Sequence, residues 1–404
     1  MGSMIHLALG PLKIDWGKND GFTMHGALFQ PSDVTQVPYA YVDDAGEPIT
    51  EWKEGAARPL STMLPRLELL GFTMEGIGQA YDMSCAAEEL NVPPVSFNGI
   101  SDLFRDLDLD AAAIDYHKNY NFSALLADRI FGPIDSTSHS IELDDPRFDF
   151  VRAVDSLHPY ALLRMFAENP RNLSRAVTWS FADVVENGWV AREHIIGSLG
   201  AQRKFLAVTE GSSDAAILGR ALALLRSDVA DFFYFVDMEE GYPFTGTGNL
   251  HRFSQGLVSI AIENRVLIVY DNDAEGLAKF AETARLRLPP TMRVMHLPDH
   301  PSFVSFATVG PEGPGTAPIN GRAASIECYL DLRRGRSGPP AVRWTNYTSD
   351  GSYQGSLIDK QSYARAFLGL RHRARDYDFS KIESAVDAMI SECIGIALAD
   401  ARSW

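Results

Sequence analysis

The stretch VLIVYDNDAEG, residues 266–276, decides how the second half of this chain is interpreted. Its five apolar residues, 266–270, predict a buried β-strand. Asp271 and Asp273 follow at once, with Glu275 and Gly276 directly behind them. Carboxylates that cluster at the end of a buried strand repel one another unless cations bind between them. The stretch therefore predicts a strand that ends in a cation-binding site.

Strand and helix patterns alternate on both sides of this stretch. Apolar runs predict strands at residues 204–211, 231–237, 265–273 and 292–299. Helical spacing of apolar residues connects them at residues 212–227, 249–263 and 274–288. Such an alternation favours a parallel sheet with helices on both faces. Ligands of these sheets bind beyond the carboxyl ends of the strands.

Four carboxylates converge at that edge of the predicted sheet. Glu210 ends the first strand and Asp214 lies one helical turn further on, while Asp271 and Asp273 end the third strand. A small number of carboxylate oxygens suits Mg²⁺ or Mn²⁺, with water and phosphate completing the coordination. Such an ion can orient a phosphate, stabilise developing negative charge and activate water.

Composition limits the class of protein. A chain of 404 residues with 46% hydrophobic and 22% charged residues is typical of a globular protein with two or three domains. No apolar run approaches the length of a membrane span, and the N-terminus lacks the pattern of a signal peptide. Cys85, Cys328 and Cys393 lie too far apart for a zinc module or a disulfide framework. We therefore expect a cytoplasmic protein without a membrane partner.

The net charge of −17 weighs against non-specific coating of nucleic acid, which needs a basic surface. It leaves room for a nucleic-acid enzyme with local basic clusters. The densest basic stretches are LRRGR, residues 332–336, and LRHRAR, residues 370–375. Solvated loops or helix ends explain these two stretches as well as phosphate contacts do.

The order of the acidic residues resembles the Toprim domain of topoisomerases, primases and the overcoming-lysogenization-defect class of nucleases. VTEG, residues 208–211, is similar to the end of the first Toprim strand, and YDND, residues 270–273, to the Asp-x-Asp that closes the third. GTGNL, residues 246–250, lies where the family has a glycine-containing loop. The resemblance covers roughly residues 203–300 and implies one or two Mg²⁺ or Mn²⁺ ions.

The Toprim resemblance also implies roles for individual residues. Glu210 and Asp214 match the Glu-x-x-x-Asp of the nuclease branch. Glu210, Asp271 and Asp273 would be catalytic, and together with Asp214 they would hold the metal; Glu210 could alternatively act as general base. Further candidates around this set are Glu275, Glu327, Lys279 and Arg322, the last two as cations that stabilise a charged phosphate.

A second resemblance lies at the N-terminus. MGSMIHLALGPLKIDWGKN, residues 1–19, is similar to the opening of the prokaryotic HEPN/Toprim-associated proteins, which are thought to be nucleases of genome defence. HEPN ribonucleases use Arg-x(4–6)-His, and Arg152 and His158 match this spacing. Ala153 replaces the usual polar residue, and Pro159 would disturb a helix at this point. These departures favour recognition or assembly as the role of the N-terminal part.

The two resemblances imply three domains. The N-terminal HEPN/Toprim-associated domain, 1–200, has mixed α+β structure; the Toprim domain, 201–305, has a parallel sheet flanked by helices; the C-terminal extension, 306–404, packs on the Toprim domain. Outside the sheet, the sequence predicts a helix from 175 to 190, a loop at 307–321, a helix at 322–332, a hairpin around Asp350-Gly351 and a final amphipathic helix.

The expected function is that of a Mg²⁺- or Mn²⁺-dependent nuclease in antiphage defence. Nucleotidyl or strand transfer, as in primases and topoisomerases, is the first alternative, although three scattered cysteines cannot build the zinc module that primases usually carry. A non-catalytic sensor or scaffold is the second. The resemblance implies nucleic acid as the substrate. It leaves open a partner protein of the defence system and a homo-oligomer.

Overall fold

The computed structural model describes residues 3–42, 48–87, 95–107, 109, 122–131, 146–200, 205–236, 246–334, 338–347 and 353–401. The chain divides into two compact units, Met1–Gln202 and Arg203–Trp404. The predicted α/β class with a parallel sheet is confirmed. The finer division into three domains stays a prediction.

The first unit is built on an antiparallel sheet of five strands, β1 (Met4–Leu9), β2 (Leu12–Lys18), β3 (Val34–Val42), β4 (Pro48–Pro59) and β5 (Ala176–Ser180). Their order is β2-β1-β5-β4-β3. Strands β1 and β2 pair around Gly10-Pro11, and Gly10 turns the chain with a φ of 54°. Ile5, Leu7 and Leu9 alternate onto the buried face of this sheet.

The described part of this unit also contains eight α-helices: α1 (Leu60–Leu69), α2 (Met74–Ala87), α3 (Phe97–Asp106), α4 (Phe122–Phe131), α5 (Pro146–Asp155), α6 (Pro159–Phe166), α7 (Ala182–Glu186) and α8 (Arg192–Gly197). Apolar residues of the sheet and helices form the main core, and a smaller cluster contains Val37, Tyr39 and Ala182. The helix predicted from 175 to 190 is wrong in its first half, which is strand β5. Val177 and Trp179 are fully buried at strand spacing, and that packing outweighs the local helical pattern.

The second unit contains the predicted alternation of strands and helices. Its elements are β6 (Phe205–Val208), α9 (Ser212–Leu225), β7 (Phe233–Phe235), α10 (Thr247–Ser259), β8 (Val266–Tyr270), β9 (Asn272–Asp273), α11 (Ala274–Ala284) and β10 (Met292–His296). Strands β6, β7, β8 and β10 form a parallel sheet in the order β10-β8-β6-β7. All five residues of β8 are buried, as expected for a central strand.

The chain continues with β11 (Phe306–Gly310), β12 (Gly313–Ala317), β13 (Ala323–Ala324), β14 (Val342–Tyr347), β15 (Tyr353–Leu357), α12 (Lys360–Leu368) and α13 (Ser380–Ala401). Strands β14 and β15 are the predicted hairpin, whose turn at 350–351 lies outside the described residues. The predicted final helix is α13. A second sheet has the order β12-β11-β14-β15, and β13 pairs with β9.

Two predictions for this segment are wrong. Residues 307–321 contain the β11–β12 hairpin instead of a loop, with Gly313 at a φ of 101° in its turn. Pro314 is tolerated because β12 is an edge strand, whose outer side needs no N–H donor. Residues 322–332 contain β13 and a short 3-10 helix, Ile326–Tyr329, in place of an α-helix.

Cys85, Cys328 and Cys393 are buried and free, in agreement with the absence of a disulfide framework in the sequence. Across the part of the chain that the structure describes, no helix has the length and apolar character needed to span a membrane.

Candidate functional site

Glu210 and Asp271 meet where two neighbouring parallel strands end. Val208 of β6 is paired with Ile268 of β8, so the residues that follow these strands emerge at the same edge of the sheet. The backbone N–H of Asp271 donates a hydrogen bond of 3.0 Å to Oε1 of Glu210. Two residues separated by 61 positions in sequence are thus brought into direct contact.

Asp214 lies in the first turn of helix α9, directly behind Glu210. Its Oδ2 accepts a hydrogen bond of 2.9 Å from the backbone N–H of Gly211. This bond satisfies one of the free N–H groups at the helix start and fixes the carboxylate. The helix therefore presents Asp214 at the same end of the sheet as Glu210.

Asp273 begins helix α11 and is held through both of its oxygens. Oδ1 accepts a hydrogen bond of 2.7 Å from the backbone N–H of Gly276, and Oδ2 accepts one of 2.8 Å from Nε2 of Gln354. Oε1 of Gln354 in turn accepts from the N–H of Ala274 at 2.9 Å. Gln354, on β15, clamps the start of the helix; a single glutamine in a hairpin carries no sequence signal for this role.

Asn272 anchors the loop between the two aspartates from the opposite side. It is 1% exposed, its Nδ2 donates to Oδ1 of Asp299 at 2.8 Å, and its Oδ1 accepts from the N–H of Gly321 at 2.8 Å. Because side chains alternate along an extended segment, a buried Asn272 directs Asp271 and Asp273 to the other side.

Gly276 leaves the space in which these groups meet. A Cβ atom at this position would lie 2.4 Å from the carbonyl oxygen of Asp271 and 3.1 Å from Oε1 of Glu210. Any side chain would push against the backbone of one acidic residue and the carboxylate of another. The glycine of the DNDAEG sequence is therefore required by close packing at the site.

Glu327 approaches the same group of carboxylates from the short 3-10 helix. It is 2% exposed, and its Oε2 accepts a hydrogen bond of 2.8 Å from Oγ of Ser325. Oγ of Ser213, beside Asp214, donates to Oε1 of Glu327 at 3.4 Å. The N–H of Ile326 donates to Oδ1 of Asp271 at 3.0 Å, which ties this segment to the end of β8.

The electrostatics of the cluster are unfavourable for three carboxylates. Burial raises the pKa of Glu210 to about 8; the N–H of Asp271 opposes this shift, and the charges of Asp273, Asp214 and Glu275 add to it. Burial and the charge of Glu327 raise the pKa of Asp214 to about 7. Burial, followed by repulsion from Asp214 and Glu210, raises the pKa of Asp271 well above its ordinary value.

Lys360, the first residue of α12, brings a positive charge to these groups. Its Nζ lies 3.8 Å from Oε1 of Glu327, and about half of its side chain (49%) is exposed. Burial lowers the pKa of Lys360, but the charges of Glu327, Asp271 and Asp214 outweigh that effect and raise it. Lys360 was not among the residues predicted from the sequence, because it belongs to no motif and only the tertiary fold brings it near these carboxylates.

The other predicted candidates lie as follows. Glu275 is exposed in the first turn of α11. Lys279 is directed to its own helix, where its Nζ donates to both oxygens of Glu282 at 2.8 and 2.7 Å. Arg322 forms a backbone bridge with Asp273, and its carbonyl oxygen accepts from the N–H of Gly355 at 3.2 Å.

The donor chemistry of the cluster fits a hard divalent cation. Glu210, Asp214 and Asp271 each use one oxygen for a backbone N–H, and among the described residues the second oxygen of each accepts no hydrogen bond. Carboxylate oxygens are the ligands that Mg²⁺ and Mn²⁺ prefer. As placed in the described part of the chain, however, no group of three or more Asp, Glu, His or Cys side chains is close enough to hold a metal ion.

Arg152 and His158 have different surroundings in the first unit. Arg152 is exposed near the end of α5, with its Nη1 3.8 Å from Oδ1 of Asp149. His158 precedes Pro159 as the N-cap of α6, and its Nδ1 accepts a hydrogen bond of 3.1 Å from the N–H of Tyr160. The proline that disfavoured a HEPN motif is therefore the first residue of a separate helix.

The second unit is thus an α/β structure with an acidic site at the carboxyl edge of its parallel sheet. Residues 1–203 of the 404 match the family model described as HEPN/Toprim N-terminal domain 1. The chain belongs to this HEPN/Toprim-associated family, as the N-terminal resemblance implied. No curated protein and no solved structure gave a match.

Proposed function

We propose that the chain is a Toprim-type, metal-dependent nuclease that hydrolyses phosphodiester bonds of nucleic acid in antiphage defence. The observation that carries this proposal is the contact of Glu210 with Asp271, beside Asp214, at the end of two parallel strands. Membership of a family named for HEPN and Toprim proteins supports a role in nucleic-acid processing. The likeness to nucleases of the overcoming-lysogenization-defect class rests on the Glu-x-x-x-Asp and Asp-x-Asp spacing.

In this proposal Glu210, Asp214 and Asp271 hold Mg²⁺ or Mn²⁺. Asp273, which the sequence predicted as a fourth ligand, uses both of its oxygens in hydrogen bonds and instead orients the start of α11. When bound, the metal supplies positive charge for a phosphate and for the attacking water. The raised pKa values are those of carboxylates that lack a counter-charge, which a divalent cation would provide. Glu327 lies at the rim of this set, where it pairs with Lys360.

The protein groups have separate tasks in hydrolysis. As the alternative to its role as a metal ligand, Glu210 would act as general base through Oε2, which accepts no hydrogen bond from the described residues. Lys360 supplies the positive charge that stabilises the pentacovalent phosphate, a role predicted from the sequence for Lys279 or Arg322. The salt bridge between Lys279 and Glu282 directs the lysine along its own helix.

The test is incubation of the purified protein with plasmid, single-stranded DNA, tRNA and total RNA, with Mg²⁺ or Mn²⁺ and without nucleoside triphosphates. Hydrolysis of any of these substrates supports a nuclease. Activity that requires nucleoside triphosphates would indicate nucleotidyl transfer instead, and inactivity on the whole panel would favour a sensor or scaffold. A double variant, R152A/H158A, should cut at the wild-type rate, because Arg152 lies beside Asp149 on α5 and His158 caps the start of α6.

A further inference from the structure

The two densest basic stretches of the sequence, residues 332–336 and 370–375, are joined in the fold. Nη2 of Arg334 donates to both the carbonyl oxygen and the carboxylate of Asp376. Asp331 connects the same segments, because its N–H donates to the hydroxyl of Tyr377 at 3.0 Å and its Oδ2 accepts from the N–H of Asp378 at 3.2 Å. Stretches that are about 40 residues apart thus form one surface.

We call this surface the basic junction. Its cationic side chains are Arg333, Arg334, Arg371, Arg373, Arg375 and Lys381. They outnumber its carboxylates, which are Asp331, Asp376, Asp378 and Glu383. This local excess contrasts with the net charge of −17, which as a whole repels a polyanion.

Arg371 and Arg375 have their charges available for a ligand. Both side chains are exposed, and among the described residues neither forms a hydrogen bond or an ion pair. The neighbouring Arg373, in contrast, pairs with Glu383 at 3.3 Å, and Arg333 pairs with the buried Asp331 at 2.8 Å. The paired arginines fix the junction, and the two unpaired ones extend from it.

Two elements connect the basic junction with the carboxylate cluster, which comprises Glu210, Asp214, Asp271 and Glu327. The 3-10 helix Ile326–Tyr329 carries Glu327, and Asp331 follows four residues later. Helix α12 begins at Lys360, beside Glu327, and ends at Leu368, just before Arg371. Its nine residues span about 13 Å, the length of about four base-pair steps along a duplex.

We propose that the basic junction binds the phosphate backbone of nucleic acid. The bound phosphates lie to one side of the reacting phosphate, which is at the carboxylate cluster. This inference rests on the proposed function for the position of the reacting phosphate. The contacts are made to phosphates, so the junction contributes affinity without sequence preference. It supplies the attraction that the acidic surface of the chain lacks.

The test is binding of a fluorescein-labelled oligonucleotide, roughly 30 nucleotides long, to the full chain in EDTA, followed by anisotropy across a salt series. The variant R371A/R375A removes two unpaired charges. We expect about tenfold weaker binding at ~100 mM salt, and a plot of log K against log salt that is shallower by roughly 1.5. The matched control is R285A/R287A, which removes the same charge from two exposed arginines at the far end of α11.

The results separate this proposal from the proposed function. Weaker binding and a shallower slope for R371A/R375A alone support the basic junction, even if the wild type cuts nothing with Mn²⁺. Equal affinity and slope in the wild type and both variants would overturn the junction, even if the wild type cuts nucleic acid. An equal loss in both variants would also overturn it, because it would show a response to overall charge only.

Discussion

The N–H of Asp271 donates its hydrogen bond to the carboxylate of Glu210 at 3.0 Å. The bond holds the side chain of Glu210 against the start of the Asp-x-Asp loop, and Gly276 permits this approach. A backbone N–H offers only partial compensation for a carboxylate that is buried beside other carboxylates. The ionised carboxylates therefore repel one another. Protons relieve this repulsion as the pH falls below about 8, and a divalent cation would relieve it without protonation.

The first prediction concerns pH in the absence of metal. The pKa of Glu210 rises from 4.5 to about 8 in the folded chain, and that of Asp214 from 3.8 to about 7. Between these values the folded state keeps protons that the unfolded state has lost, so these groups make the free energy of unfolding fall as pH rises. Urea unfolding in EDTA at about pH 5, 6, 7 and 8 measures this.

The variant E210Q provides the comparison for this measurement. Burial lowers the pKa of His6 to about 4, which makes the free energy of unfolding rise with pH between about 4 and 6.5 and so opposes the effect. His6, and His158 with its similarly lowered pKa, contribute equally in both proteins. The difference therefore reports Glu210 together with the repulsion that its charge exerts on Asp271. A difference that stays constant from about pH 5 to 8 would contradict the raised pKa.

The second prediction concerns the response to metal. D271N keeps the shape of the side chain and removes one of the clustered charges. It should melt higher than the wild type in EDTA, by several degrees if the relieved repulsion is ~1–3 kcal/mol. It should also gain less from Mn²⁺, because metal stabilises only the folded state that binds it. Thermal melts of both proteins, in EDTA and across a Mn²⁺ series, measure this. A D271N variant that melts lower in EDTA and responds to metal as the wild type does would contradict the proposed cluster of carboxylates.

The third prediction concerns Gly276. G276A should lower the melting temperature and the activity, because the new Cβ would lie 2.4 Å from the carbonyl oxygen of Asp271. The matched control is G256A in α10, where the added Cβ meets no described atom within 4 Å outside the backbone of its own helix. Alanine favours the helix there and should leave the protein equally or more stable, by up to ~1 kcal/mol. Equal melting temperatures for the two variants would show that the close packing at Gly276 is absent.

The fourth prediction distinguishes two lysines. K360Q should reduce the rate of cleavage roughly 10- to 100-fold, because it removes the positive charge nearest to the carboxylates. It should also move the pH profile upward, because Lys360 lowers the pKa of Asp214. K279Q changes the same charge on the exposed face of α11 and should cut at nearly the wild-type rate. A larger loss of cleavage rate in K279Q than in K360Q would show that Lys279, and not Lys360, stabilises the phosphate.

The sequence predicted the parallel sheet because its signals are local. The segments that form β6 and β8 are continuous apolar runs, and acidic residues follow each of them. Both the strands and the edge of the sheet that carries the site could therefore be predicted. The order of the sheet places these strands side by side, which is what allows Glu210 to contact Asp271.

The remaining parts of the site could not be predicted because they depend on distant contacts. Gln354 clamps Asp273 from a hairpin 81 residues away, and Lys360 reaches Glu327 from the start of another helix. Residues 322–332 have a helical pattern, but the N–H of Ile326 bonds to the carboxylate of Asp271 and a 3-10 turn forms instead. In each case a tertiary contact outweighs the local preference.

The most direct measurement is the rate of nucleic-acid cleavage by the wild type, E210Q and D271N with Mn²⁺ and with EDTA. Both substitutions are nearly isosteric, and circular dichroism would establish that the variants are folded. We expect the wild type to cleave only with Mn²⁺ and not in EDTA, and we expect the rate to fall at least ~100-fold in each variant. Cleavage by either variant at the wild-type rate, or no cleavage of any substrate by the folded wild type, would contradict this expectation.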